Sequence, residues 1–301
     1  MALGLSLMAL LGSPAAAAAE APEPAGRRVE WRPEWRRANA LDYGLTAVLW
    51  GGGVWLRLAG PEPPERSWQL PGEDAIADAL AVRGSGLDTV VLISDIAFYG
   101  SFGYRVLDSA LTPGIGWNAW DVSEQLLVID LQSLGLTAAV FWVAQATVGR
   151  ERPPYRDCPE QAPPGGSCDS DSDERYRSFI AGHLAMATAA ASLTCLHHAK
   201  LPLYGGGVAD DLACATTIGA ATASGVTRLL SENHYASDIL LGAGLGVLGG
   251  YVWPKLLYYG FGDPDPEPPR EASRYDPRQV SLMVAPSLEL DSPGVRVLGL
   301  F

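Results

Sequence analysis

Six apolar stretches, each close to the length of a bilayer-crossing helix, constrain this chain more than any other feature. They run from Leu41 to Ala59, Leu87 to Val106, Leu126 to Val148, Ser178 to Leu196, Val208 to Leu230 and Ser237 to Tyr259. A helix needs about 20 apolar residues to cross a bilayer. The later stretches are rich in Ala, Gly, Ser and Thr, small residues that let helices approach closely. The pattern predicts an all-α fold, a bundle of about six apolar, membrane-spanning helices. Two features favour a soluble bundle instead: Arg57, Asp95 and Asp130 interrupt the stretches, and the mean hydropathy is only +0.09. Because an unpartnered charge inside a bilayer is costly, Asp95 and Asp130 are expected to hydrogen-bond between helices rather than to take a direct catalytic part.

Around the bundle the chain divides by composition. Residues 1–20 hold an apolar core followed by the alanine run Ala15 to Ala19, as in a signal peptide, although no Lys or Arg precedes Arg27. The segment therefore reads as a signal peptide or an anchor. Residues 38–260 form the helical domain, 261–278 a Pro-rich linker and 279–301 a C-terminal β-hairpin. The hairpin follows from the alternation of Val280, Leu282 and Val284, then Val295 and Val297, across an Asp291-Ser292-Pro293-Gly294 turn. Pro61 to Asp74 reads as a connector.

Five arginines between Arg27 and Arg37 predict a cytoplasmic N-terminal side, which places the loop after the third stretch outside. A cleaved signal predicts the reverse, so six spans, a cleaved signal and an external loop do not all hold together. That loop carries Cys158 and Cys168, a spacing that closes as a disulfide in an oxidising compartment and otherwise leaves two thiols. No second Cys/His pair nearby has zinc-ligand spacing. The expected location is the cell envelope, in the inner membrane with the site facing the periplasm, or alternatively soluble in the periplasm.

A net charge of -13 excludes nucleic acid as a partner, because such binders need a basic face to displace counterions from phosphates. The same charge repels anionic substrates at long range, so phosphate chemistry requires a local cationic pocket.

Three clusters at stretch ends supply one. Gln145 and Arg152 lie seven residues apart on one predicted helix face, before the helix-stopping Pro153. Arginine there offers a planar fork of donors to a phosphate. Gly182 and His183 open the fourth stretch, where free backbone N–H groups and the positive end of the helix dipole favour an anion. His183 is placed to protonate a leaving group. Thr227 and Arg228 close the fifth stretch, and His234 and Asp238 open the sixth at i and i+4, a spacing at which a carboxylate holds an imidazole in one tautomer. Taken singly, each of these is commoner as a cap or a helix pair.

Together, in this order and spacing, the clusters resemble the signature of the type 2 phosphatidic acid phosphatase and vanadium haloperoxidase-like superfamily: Lys-x6-Arg-Pro, Pro-Ser-Gly-His, and Ser-Arg-x5-His-x3-Asp. The resemblance covers roughly Leu126 to Tyr259. It implies a metal-free, cofactor-free phosphatase acting on a lipid phosphate or polyprenyl pyrophosphate at a membrane. In that reading His234 is the nucleophile that forms a phosphohistidine, Asp238 its partner and His183 the general acid. Arg152, Gly182, Arg228 and Gln145 hold the phosphate. Four positions depart from the signature: Gln145 for lysine, Ile180 for proline, Ala181 for serine and Thr227 for serine. Gln145 removes a charge and Ala181 a hydroxyl donor, and loss of one such donor typically costs about 3 to 4 kcal/mol of transition-state stabilisation. A catalytically degenerate anion-binding or scaffolding membrane protein is therefore the competing expectation, and a haloperoxidase a more distant one. No protein partner is readable. His197, His198 and Lys200 are expected on a solvated or interfacial turn, and Cys195 and Cys214 as buried packing residues.

Overall fold

The computed structural model describes residues 29–156, 158, 174–260, 281–287 and 294–300. Seven α-helices are formed among these: α1 (Ala40–Ala59), α2 (Glu73–Leu80), α3 (Leu87–Leu111), α4 (Trp120–Val148), α5 (Gly182–Lys200), α6 (Val208–Leu230) and α7 (Ala236–Val247), the last extended to Tyr259 through two π-helical turns. Six of them coincide with the apolar stretches. The seventh, α2, arises at the end of the segment read as a connector, where Glu73 accepts from the backbone N–H of Leu70 and starts a short amphipathic helix. Strands β1 (Ser281–Ser287) and β2 (Gly294–Leu300) pair antiparallel, Val284 opposite Val297. The signal or anchor segment, the Pro-rich linker and the hairpin's turn lie outside the described residues, as does Cys168 of the expected Cys158–Cys168 bridge.

Helix α5 is the axis, in contact with α3, α4, α6 and α7. That position explains its alanines: Ala185, Ala187, Ala189 and Ala190 are fully buried, and only small side chains let four helices close on one. Helix α7 packs closely against it. A Cβ built on Gly250 would lie 2.2 Å from the carbonyl oxygen of Ala189, and one on Gly246 2.5 Å from that of Ala185. Larger residues there would force the helices apart.

Outside this core the bundle is apolar on its surface as well. Leu41, Val48, Trp55, Leu58, Ile96, Leu107, Val208, Leu240 and Leu256 are all exposed. Among the described residues, three helical stretches, Gly84–Gly116, Trp120–Val148 and Ala236–Tyr259, are long and apolar enough to cross a membrane. This is fewer than the six expected, because α1, α5 and α6 are long enough but not apolar enough in composition.

The end of the bundle away from Arg152 and His234 carries a buried polar network. Arg105 donates to Asp130 at 3.0 Å and to Asp108 at 2.7 Å, and Ser109 also donates to Asp130. His197 bridges Asp130 and the Tyr259 hydroxyl, while His198 lies between Asp210 at 2.6 Å and Asp108 at 3.1 Å. Asp130 thus joins α3, α4 and α5 as expected. The solvated turn expected for His197, His198 and Lys200 is not found: all three are buried, since α5 runs through the centre rather than along the surface. Cys195 and Cys214 are likewise not two packing thiols but a disulfide between α5 and α6. At the same end Asn39 caps α1, and Asp42 completes the capping box while accepting from Arg36 and the Tyr258 hydroxyl.

Candidate active site

At the opposite end, the C-termini of α4 and α6 meet the N-termini of α5 and α7, which brings the three sequence clusters together. The chain leaves α4 through Gly149 at φ +63°, where a side chain would collide with the backbone of Pro64. That turn ends the helix before Arg150, so Gln145 and Arg152 do not share the helix face that their spacing predicts.

Arg152 donates through one terminal nitrogen to Asn233 Oδ1 at 3.1 Å and through the other to Glu174. The first bond ties it to the loop carrying His234. Arg228 donates to Asp95 Oδ1 at 2.6 Å, and Nε2 of His183 lies 3.4 Å from the same oxygen. The Nε of each arginine is buried without a hydrogen-bond partner among the described residues. A buried donor left unpaired is expensive, and two of them on neighbouring cations form a ready seat for an anion. Burial lowers the affinity of Arg152 for its proton below the usual arginine range.

His234 is almost wholly buried, with Nδ1 2.6 Å from the carbonyl oxygen of Ser178. A carbonyl only accepts, so Nδ1 carries the proton and Nε2 the lone pair. Burial first, and then the nearby charge of Arg152, hold this imidazole well below its ordinary value, keeping it neutral at pH 7. His183 is pushed down to about 3 by burial and by Arg228 and Arg152, and its ring stacks on Phe98. A phosphate dianion between the two arginines would reverse the charge surrounding both histidines.

The expected pairing of His234 with Asp238 is absent. Helix α7 begins at Ala236, so His234 lies outside it and the i, i+4 geometry does not apply. Asp238 instead accepts from the backbone N–H of Tyr235, from Ser178 Oγ at 2.6 Å and from Arg150 at 2.7 Å. Ser178 therefore stands between them, its hydroxyl on Asp238 and its carbonyl on His234. Arg150 is fully buried, its guanidinium between the rings of Trp68 and Tyr235 and bonded to Glu73, Ser237 and Asp238. It locks the N-terminus of α7 to α2.

Gln145 donates to the carbonyl of Ile180 at 3.1 Å, bracing the turn before His183. Ala181 is the N-cap of α5 and supplies no side-chain cap. Gly182 packs so closely on Phe141 that a Cβ would lie 2.7 Å from its ring. Sequence reasoning missed Glu73, Glu174 and Ser178 as parts of this constellation, and assigned Asp95 only to helix pairing. Asp95 does join α3 to α6, but at the site; a carboxylate in the middle of an apolar helix was the signal. Glu174 sits in an acidic loop with nothing in its pattern to single it out.

No curated protein and no solved structure matches the chain. A family model does: that of the PAP2 superfamily matches residues 127–261. This stretch, which is similar to the PAP2 superfamily, contains Gln145, Arg152, Gly182, His183, Arg228, His234 and Asp238.

Proposed function

We propose that this protein is a phosphatase that removes phosphate from a lipid phosphate or polyprenyl pyrophosphate through a phosphohistidine on His234. The superfamily's activity is of phosphatase type on phosphorylated lipid substrates. The observation that carries the reading is the tautomer of His234, whose Nδ1–H is spent on Ser178 and whose Nε2 keeps its lone pair unprotonated in a buried, neutral ring. In the proposed reaction Nε2 attacks phosphorus, the P–O bond to the alcohol or phosphate leaving group breaks, and a proton from His183 goes to that oxygen. Water then attacks the phosphohistidine, gives its proton back to His183, and inorganic phosphate leaves. Arg152 and Arg228 offer their unpaired N–H donors to the developing charge, with the N-terminus of α5 behind them. Asp238 acts on His234 only through Ser178. The exposed apolar faces of the bundle and its three bilayer-length helices support an enzyme seated in the inner membrane, its pocket at the periplasmic face.

A second reading, an anion-binding protein without turnover, draws on Gln145 and Ala181. Gln145 brings no charge and gives one amide N–H to Ile180, and Ala181 has no hydroxyl. One assay separates the two. Purified protein is given a lipid phosphate and a polyprenyl pyrophosphate beside His234→Ala. Phosphate release that disappears in the variant supports the enzyme; no release, with vanadate still bound, supports the binder.

A further inference from the structure

A cavity of about 530 Å³ lies between α5, α6 and α7, a size within the roughly 300–1,000 Å³ of small-ligand sites. Its upper end is lined by chain neighbours of the candidate-site residues. Leu184 follows His183, Ile239 follows Asp238, and Val226 stands two residues before Arg228, and all three line its upper end. From there it descends past Thr188, Ser192 and Thr222 to Cys195 and Tyr251. The α-helical rise of about 1.5 Å per residue makes the path along α5 from Leu184 to Cys195 roughly 16 Å long.

The lining is apolar or small throughout, with no charged residue. Arg228 and His183, with Asp95 and Asp238, stand near its upper end, while at the other end Lys255 lies over the Tyr251 ring. A ligand matching both parts has an anionic head and one apolar tail. The length fits such a tail: roughly 16 Å is about half of a ~30 Å hydrocarbon core, the depth that the chain of a lipid in one leaflet occupies. Access from the side is open, since Ile218, Val226 and Val247 on its rim are exposed.

We propose that this groove holds the apolar chain of the phosphorylated substrate, entering sideways between α6 and α7, with its head at Arg152 and Arg228 and its end beside Tyr251 and the Cys195–Cys214 bridge. The assignment rests on the proposed phosphatase reading for the nature of the head. The disulfide then has a second consequence: it pins α5 to α6 at the far end, so that the groove keeps its width when the chain enters.

The test uses the full chain purified in detergent, with butyl phosphate and hexadecyl phosphate as substrates. Wild type is compared with Ser192→Phe and Thr222→Trp, which fill the groove midway from opposite walls and touch no phosphate-holding residue. Turnover of hexadecyl phosphate is expected to fall at least about tenfold in both variants, with butyl phosphate changed by less than about twofold. Full retention of hexadecyl phosphate turnover overturns the proposal. A second arm needs no turnover: hexadecyl phosphate bearing a diazirine at its chain end is photo-crosslinked to wild type and to Ser192→Phe, and the labelled peptides are mapped by mass spectrometry. Label beside Tyr251 or Cys195 that Ser192→Phe removes supports the groove, even where neither substrate is hydrolysed, which counts against the phosphatase alone. Label elsewhere overturns the groove, and this arm also decides the matter if a variant loses both substrates.

Discussion

Replacing Asp95 by Asn should tighten the binding of phosphate-like anions. In the structure its carboxylate occupies Arg228 at 2.6 Å and lies 3.4 Å from His183, so an arriving phosphate must share or displace it. If the anion settles on the free donors of the two arginines, it will stand about 5 Å from Asp95, where like unit charges repel by roughly 1 to 3 kcal/mol at effective dielectric constants of 80 to 20. Removing that charge while keeping the shape predicts vanadate bound roughly 5- to 150-fold more tightly. The fold should hardly change, because the Asp95 side chain is 38% exposed and such pairs contribute about 0 to 1 kcal/mol. Calorimetric titration of vanadate into wild type and Asp95→Asn, at two salt concentrations, measures the effect, which should shrink as salt rises. Unchanged or weaker binding in the variant would refute the idea that Asp95 competes with the anion. It would point instead to a carboxylate that organises His183 and Arg228 for it.

Further expectations follow from the same geometry. Gln145→Lys with Ala181→Ser should raise phosphatase kcat by roughly 100-fold or more, since each restores a type of donor whose loss typically costs that much; a rate unchanged in the double variant would show that the departures are compensated elsewhere. Arg150→Met should destabilise the protein by about 3 to 5 kcal/mol in denaturant melts, because it strands the buried Asp238 and Glu73 carboxylates; a loss below 1 kcal/mol would contradict its place as the lock between α2 and α7. His234 is held below its unfolded value, so below about pH 6.5 the unfolded chain takes up a proton that the folded chain refuses, and stability should fall with acidification by up to about 1.4 kcal/mol per pH unit from this group. The slope should flatten in His234→Gln, and thermal melts between pH 7.5 and 5.5 would show it.

Local pattern made much of this molecule legible. Helix positions follow from apolar length and from caps such as Asn39 and Asp42, and all three clusters of polar residues at helix ends could be named in advance because helix termini leave backbone groups to satisfy. Asp130 was readable as a helix-to-helix partner because a charge inside an apolar helix has little alternative. The exceptions share one cause: each depended on where a helix ends or on which helix is central. The start of α7 at Ala236, two residues after His234, leaves His234 off the helix, and Asp238 goes to Arg150 and Ser178. Gly149 ends α4 early and turns Arg150 inward onto Asp238.

The sequence by itself determined six of the helices and the order of the polar clusters at their ends, because these depend on neighbours within a few residues. Only the tertiary structure decided who serves whom. Asp95 and Glu174 reach the arginines from α3 and from the loop before α5, Ser178 mediates between His234 and Asp238, and α5 runs through the centre of the bundle with His197, His198 and Cys195 paired. Contacts between residues far apart in the chain are set by the packing of whole helices, and no window of sequence contains that information.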